Sequence, residues 1–350
     1  MRFRLSPGRG QILRSAGLLI PGCILTLATA CTRQYFVGDA GPQAYYQTGF
    51  PIRDTSAELA RIAESIHRIG VTSYYTTYRF AREDSVTNAS VRSPATLARA
   101  RERYTFDHSK AGTASVLATD PRGVTLITNY HVTRTPDTLI VMFGSGRSDG
   151  GPDRVVESIS IRTRQRSYVF GLPDARPFRV LAHDSADDLA LIRAELPGAD
   201  QRPGIRVLRT ALGEASRLVW GSFVYVVGFP RGYRMVTRGI VSDPGYAGGD
   251  TFLLDGLFNR GISGGLILAV RGDNGALEWV GIATATAAQT EYLLMPESRD
   301  TAEEGLLLPY EGRLYMELAP RIEYGVTFPV ATDAIRRFLQ TTRLEGMARD

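Results

Sequence analysis

The segment Asp255-Gly-Leu-Phe-Asn-Arg-Gly-Ile-Ser263-Gly-Gly-Leu-Ile-Leu268 sets a serine among glycines, with apolar residues on both sides. A serine hydroxyl attacks a carbonyl only when a base takes its proton and backbone N–H groups receive the developing oxyanion. Gly261, Gly264 and Gly265 permit the tight backbone that gathers such groups. Glycine-serine turns are also common as plain structure, so the rest of the chain decides. His131 ends the apolar run Val124-Thr-Leu-Ile-Thr-Asn-Tyr-His131, and Asp188 stands directly before Leu189-Ala-Leu-Ile-Arg193. Asp184 and Asp187 are rival carboxylates in the same stretch. Histidine, aspartate and serine, each at the boundary of a strand-like run, supply the base, its orienting carboxylate and the nucleophile of acyl transfer.

The elements that must position these groups read as short strands separated by turn residues. One set covers residues 115–119, 124–128, 138–143, 178–182 and 189–193. A second set, after a link at 196–206, covers 218–229, 234–241, 252–254, 266–270 and 279–286. No helical pattern intervenes, which predicts two antiparallel barrels. Residues 55–69 have helical spacing, with Asp54 or Ser56 as the cap, and 331–339 predict a closing helix. Residues 32–50 read as a tether, 82–104 as a polar loop or short helix, and Gly144 to Gly151 as a loop.

In this order the motifs resemble a trypsin-like serine peptidase of the chymotrypsin fold, and its HtrA/Deg branch in particular. The resemblance rests on Thr128-Asn-Tyr-His131-Val, Asp188-Leu-Ala-Leu191 and Asn259-Arg-Gly-Ile-Ser263-Gly-Gly265. Gly228-Phe-Pro-Arg-Gly232, Val236-Thr-Arg-Gly-Ile-Val-Ser242 and Tyr324-Gly-Val-Thr-Phe-Pro-Val330 extend it over roughly residues 105–340. It implies an all-β fold of two antiparallel six-stranded β-barrels with an N-terminal helical extension and a C-terminal helix. It also selects Asp188 as the carboxylate, assigns the oxyanion hole to the N–H groups of Gly261 and Ser263, and places Leu257, Phe258, Ile282, Ala283 and Thr284 around the S1 pocket. That apolar lining implies small or medium aliphatic P1 side chains. The chain departs from the family at Ile262, where HtrA proteins usually have Asn, at Leu266 for a frequent Pro, and at Ala114 for a glycine. Ile262 is therefore expected to influence how the Gly261 peptide sits. HtrA proteins usually continue into PDZ domains, for which these 350 residues leave no room, so PDZ-based sensing is not expected.

The formal charge of +5 sits largely on Arg2, Arg4, Arg9 and Arg14, so it argues for no nucleic-acid partner. Those arginines precede an interrupted apolar stretch to Ala30 and read as a signal peptide over residues 1–30. Leu27-Ala-Thr-Ala-Cys31 resembles a bacterial lipobox, which would make Cys31 the acylated first residue of a membrane-anchored, periplasm-facing lipoprotein. Ala28 stands where leucine is usual, and ordinary cleavage after Ala30 is the alternative. Cys23 and Cys31 are the only cysteines, so the mature domain has no internal disulfide.

The expected organisation is a tether and helical extension at 31–104, a first barrel at 105–196, a second barrel with closing helix at 197–342, and a tail at 343–350. His67, assigned to the first helix, His108 and His183 read as surface or packing residues. No metal-ligand spacing and no cofactor motif is present. Lys110 is the only lysine, which reads as genomic composition rather than chemistry. Residues 287–322 read as a surface excursion, with a lid or self-association surface as the sharper alternative. Tyr45, Tyr46, Tyr74, Tyr75 and Tyr78 are candidates for self-association, since amino-terminal aromatics help trimerise HtrA proteins. The expected function is cleavage of unfolded or damaged envelope proteins through an acyl-enzyme. The alternative is a catalytically silent peptide-binding scaffold of the same fold.

Overall fold

Strand structure begins well before residue 105. Helix α1 (Ser56–Ala63) is followed at once by β1 (Ile66–Arg79), so the helical reading of 55–69 holds only for its first half. Ile62, Ile66 and Ile69 have helical spacing, but the run Val71-Thr-Ser-Tyr-Tyr-Thr-Thr is β-branched and aromatic and favours a strand. His67 accordingly lies on a strand, is 4% exposed, and is held below the usual histidine range by burial.

The structure, a computed structural model, describes residues 45–51, 53–120, 122–143, 155–172, 174–196, 205–256, 258–284, 288–296, 314–322 and 325–342. All lie in the unit Ala44–Asp350. The leader, Cys31, the 144–151 loop, Leu257 and residues 305–310 lie outside the described residues.

The first sheet joins β1 to β2 (Glu102–Asp120), β3 (Gly123–Asn129), β4 (Thr138–Met142), β5 (Val156–Phe170), β6 (Arg176–Asp184) and β7 (Leu189–Glu195). Its order is β1-β2-β3-β7-β6-β5-β4, and β1 also pairs with β5, which closes six strands into a barrel with β4 on its outside. Helix α2 (Pro94–Leu97) lies in the connection from β1 to β2. The second sheet takes β8 (Phe223–Gly228), β9 (Met235–Asp243), β10 (Leu253–Asp255), β11 (Gly265–Val270), β12 (Leu277–Ala283) and β15 (Val330–Ala331) in the order β10-β9-β8-β11-β12-β15. Its ends meet: Leu254 and Thr327 exchange two main-chain bonds of 3.0 Å, and Ala331 N donates to Asp250 O at 3.0 Å. Between β12 and β15, β13 (Ala288–Pro296) and β14 (Leu314–Ile322) form an antiparallel hairpin within the 287–322 excursion. The fold is the double barrel of the chymotrypsin type.

Strand periodicity explains how the barrels stick together. Successive residues face opposite sides of a sheet, so Leu126 of β3 points into the first barrel while Ile127 points to the cluster between barrels. In β11, Ile267 and Ala269 fill the second barrel, and Leu266, Leu268 and Val270 join that same shared cluster. Helix α3 (Tyr130–Thr133) follows β3, and α4 (Thr332–Thr341) closes the chain. Ala334, Ile335, Phe338 and Leu339 share one face of α4 and bury it against Leu277 and Trp279 of the shared cluster. Burying Phe338 there contributes about 1.5–3 kcal/mol.

Candidate active site

The β3–β7 register sets the histidine beside the aspartate. Asn129 pairs with Leu189, so the residues just beyond that pair, Tyr130 and Asp188, are brought together. Tyr130 N donates to Asp188 O at 3.0 Å, and Asn129 Nδ2 donates to the same carbonyl at 3.1 Å. Asp188 has φ +52°, a left-handed conformation costing about 1–3 kcal/mol that these bonds help offset. Its side chain then grips His131 twice. Oδ1 accepts from His131 N at 2.8 Å, and Oδ2 lies 2.7 Å from Nδ1. A carboxylate can only accept, so Nδ1 carries the proton and Nε2 presents a lone pair. The rivals are engaged elsewhere. Asp184 Oδ1 accepts from Ala186 N and Asp187 N, while Asp187 pairs with Arg337 at 3.4 Å.

The serine turn is built on two glycines of positive φ, Gly261 (+101°) and Gly264 (+86°). A Cβ on Gly261 would stand 2.4 Å from Phe229 O. Thr113 of β2 ties this turn to the first barrel: its N donates to Ser263 O at 2.7 Å and its Oγ1 to Gly261 O at 2.8 Å. Oγ1 also accepts from Phe229 N at 2.9 Å, and Thr113 O accepts from Thr128 Oγ1 at 2.6 Å. One residue earlier, a Cβ on Gly112 would lie 2.6 Å from Val132 of α3 and 3.1 Å from Ser263 O. The missing side chain lets the histidine helix and the serine turn approach β2 together.

The main-chain donors of the turn divide in a telling way. Ile262 N donates to Asn259 O, Gly264 N to Ala283 O and Gly265 N to Ile262 O. The N–H groups of Gly261 and Ser263 have no acceptor among the described residues. Arg260 O accepts from Arg231 N at 2.8 Å, which turns the trans peptide so that Gly261 N–H faces the other way. Ile262 influences this geometry from below: it is 2% exposed and packs in the second barrel's core with Phe258 and Ala283. Ser263 is 4% exposed, and its hydroxyl and the His131 imidazole are not hydrogen-bonded to each other at rest. Catalytic hydrogen bonds of unliganded sites often tighten only when substrate arrives.

The family model of the trypsin-like peptidase domain matches residues 112–277. This chain carries a trypsin-like peptidase domain. Among solved structures, an HtrA-type protease, AlgW, with a tripeptide is similar at 17% identity and a TM-score of 0.41, covering 84% of this chain. The chain spans 64% of the length of that one. No curated protein matches.

Within the trypsin-like domain, the residues expected around S1 are placed differently from that expectation. Phe258 and Ile282 are 1% exposed and Ala283 is fully buried; Phe258 and Ala283 fill the second barrel and Ile282 the cluster between barrels, so these side chains offer no surface to a ligand in this conformation. Thr284 is partly exposed, and its Oγ1 lies 3.5 Å from Asn129 Nδ2. The aromatics expected in self-association are also partly internal. Tyr46 is buried and donates to Glu278, and Tyr75 is buried and stacks on Phe106. Tyr74 and Tyr78 lie under Arg164 and Arg103. His183 stacks on Tyr130.

Thr113 and Asn129 were not legible in the sequence as neighbours of the site, because each acts through main-chain groups distant in sequence. Thr113→Val is isosteric yet leaves Gly261 O and Phe229 N without the partner that the fully buried Thr113 hydroxyl gave them. Each lost partner costs about 1–3 kcal/mol, so denaturant unfolding should show a stability loss of about 2 kcal/mol or more. An unchanged unfolding midpoint would refute the tie.

Proposed function

We propose that this chain is a secreted, lipid-anchored serine endopeptidase of the HtrA type that cleaves unfolded or damaged envelope proteins. The observation that carries the peptidase reading is the pairing of an Asp188-oriented His131 with a serine turn whose free N–H groups are those of Gly261 and Ser263. His131 Nε2 takes the Ser263 proton as Oγ attacks the peptide carbonyl, then returns it to the leaving amine. Asp188 holds the tautomer and stabilises the imidazolium. The N–H groups of Gly261 and Ser263 receive the oxyanion, each contributing about 3–4 kcal/mol to the barrier reduction. Of the residues expected around S1, Thr284 is the partly exposed one, and it offers no carboxylate to Arg or Lys, which supports an uncharged, aliphatic P1 side chain. The leader and Cys31 support the envelope location, and the HtrA-like motifs support unfolded chains as substrates.

A fluorophosphonate probe and denatured casein test this together. The expected result is labelling and casein cleavage by wild type, both absent in Ser263→Ala, with denatured casein cut faster than native. A wild type that neither labels nor cleaves under any condition favours the silent scaffold. Radiolabelled palmitate incorporation lost in Cys31→Ala checks the anchor.

A further inference from the structure

We infer that Lys110 is a positioning residue for the catalytic histidine, a clamp on the main chain that carries it. The inference rests on the peptidase reading above. Lys110 lies midway along β2, two residues before Gly112. Its Nζ donates to His131 O at 3.0 Å and to Arg134 O at 3.0 Å, bridging the catalytic residue and the residue that follows α3. The imidazole is thereby fixed from both ends of its own residue. Asp188 holds the His131 N–H and the ring, and Lys110 holds the His131 carbonyl. Helix α3 has a single turn and no side-chain cap, so it cannot fix the His131 backbone unaided.

The residue type agrees with this task. Of 41 Lys and Arg residues only Lys110 is lysine, in a chain that otherwise uses arginine for every such cation. An ammonium is compact and points its donors tetrahedrally, so it can sit between two carbonyls. A guanidinium is planar and suits carboxylates and phosphates instead. Lys110 makes no ion pair within salt-bridge distance among the described residues and spends its donors on carbonyls. Partial burial lowers its pKa, while the Asp188 charge raises it and helps keep it protonated.

Lys110→Met removes the clamp and keeps the stem. The expected result is a fall in kcat on denatured casein of about 10- to 100-fold, with KM within about twofold of wild type. Fluorophosphonate labelling of Ser263 should slow by the same factor, because it needs the same base. Lys110→Arg keeps the charge without the compact donor and should stay as slow as Lys110→Met; wild-type activity in it overturns the clamp. If Lys110→Met does not fold, reductive dimethylation of the folded wild type replaces it. That leaves Nζ a single N–H, enough for one carbonyl, and the same loss of kcat is expected at this sole lysine. Unchanged kcat after full dimethylation also overturns the clamp. Wild type that never labels at Ser263 brings down the peptidase reading and the clamp with it. Wild type that labels, with Lys110→Met labelling equally fast, brings down the clamp alone.

Discussion

Replacing Asp188 by asparagine is expected to lower kcat about 10⁴-fold, with the fold and KM near wild type. The size of the effect follows from the two bonds that Asp188 makes to one residue. Oδ1 accepts from the His131 main-chain N–H, and that N–H can only donate. An asparagine must therefore turn its carbonyl oxygen to the main chain, which leaves its NH₂ facing Nδ1 across the present 2.7 Å contact. Nδ1 then has to accept, the ring proton moves to Nε2, and the atom that should take the serine proton no longer has a lone pair. The fold survives because asparagine tolerates the left-handed conformation at φ +52°, and the Asp188 carbonyl keeps its bonds to Tyr130 and Asn129. Steady-state kinetics on denatured casein and a thermal melt check both halves. Activity within tenfold of wild type would mean that His131 does not depend on this carboxylate for its tautomer.

What the residues alone disclose follows burial. Strands β3 and β11 are buried along their whole length, so their apolar runs mark them plainly, and β7 is nearly so. His131, Asp188 and Ser263 stand out in the sequence as candidates for a related reason. Each stands where such a run begins or ends, and few side-chain types can do their chemistry. Strand β5 was missed because its centre, Arg162-Thr-Arg-Gln-Arg166, is polar and charged, with Thr163, Arg164 and Arg166 exposed on a barrel wall. The first half of β2 is exposed from Glu102 to Ser109, so its polarity reads as loop although β1 pairs with every residue of it. The S1 expectation failed in a different way. A motif match places Phe258 and Ile282 along the chain, but whether a side chain turns to a cleft or a core depends on neighbours such as Val226 and Leu266. Lys110 illustrates the limit most clearly. Its rarity is visible in the composition, whereas its partners are carbonyls, which have no signature in a sequence.

Gly264→Ala is expected to destabilise the protein by about 3–5 kcal/mol and to abolish activity in whatever fraction still folds. Gly264 has φ +86°, and a Cβ built on it would stand 1.9 Å from Thr113 O and 2.5 Å from Thr128 Oγ1. Neither atom has room to yield. Thr113 O is main chain in the middle of β2 and already accepts from Thr128 Oγ1, and both threonines are fully buried. Gly264 itself is fastened on the other side by its bond to Ala283 O. A methyl group must therefore push the serine turn away from β2, breaking the Thr113 N to Ser263 O bond that joins the two barrels at Ser263. Gly248→Ala separates crowding from backbone conformation, since Gly248 has nearly the same φ, +82°, with nothing within 4 Å of the added Cβ. That control should cost only about 1–2 kcal/mol and leave casein cleavage intact. Equal unfolding midpoints for the two variants would show that left-handed conformation, and not the contact between Gly264 and Thr113, sets the requirement for glycine beside Ser263.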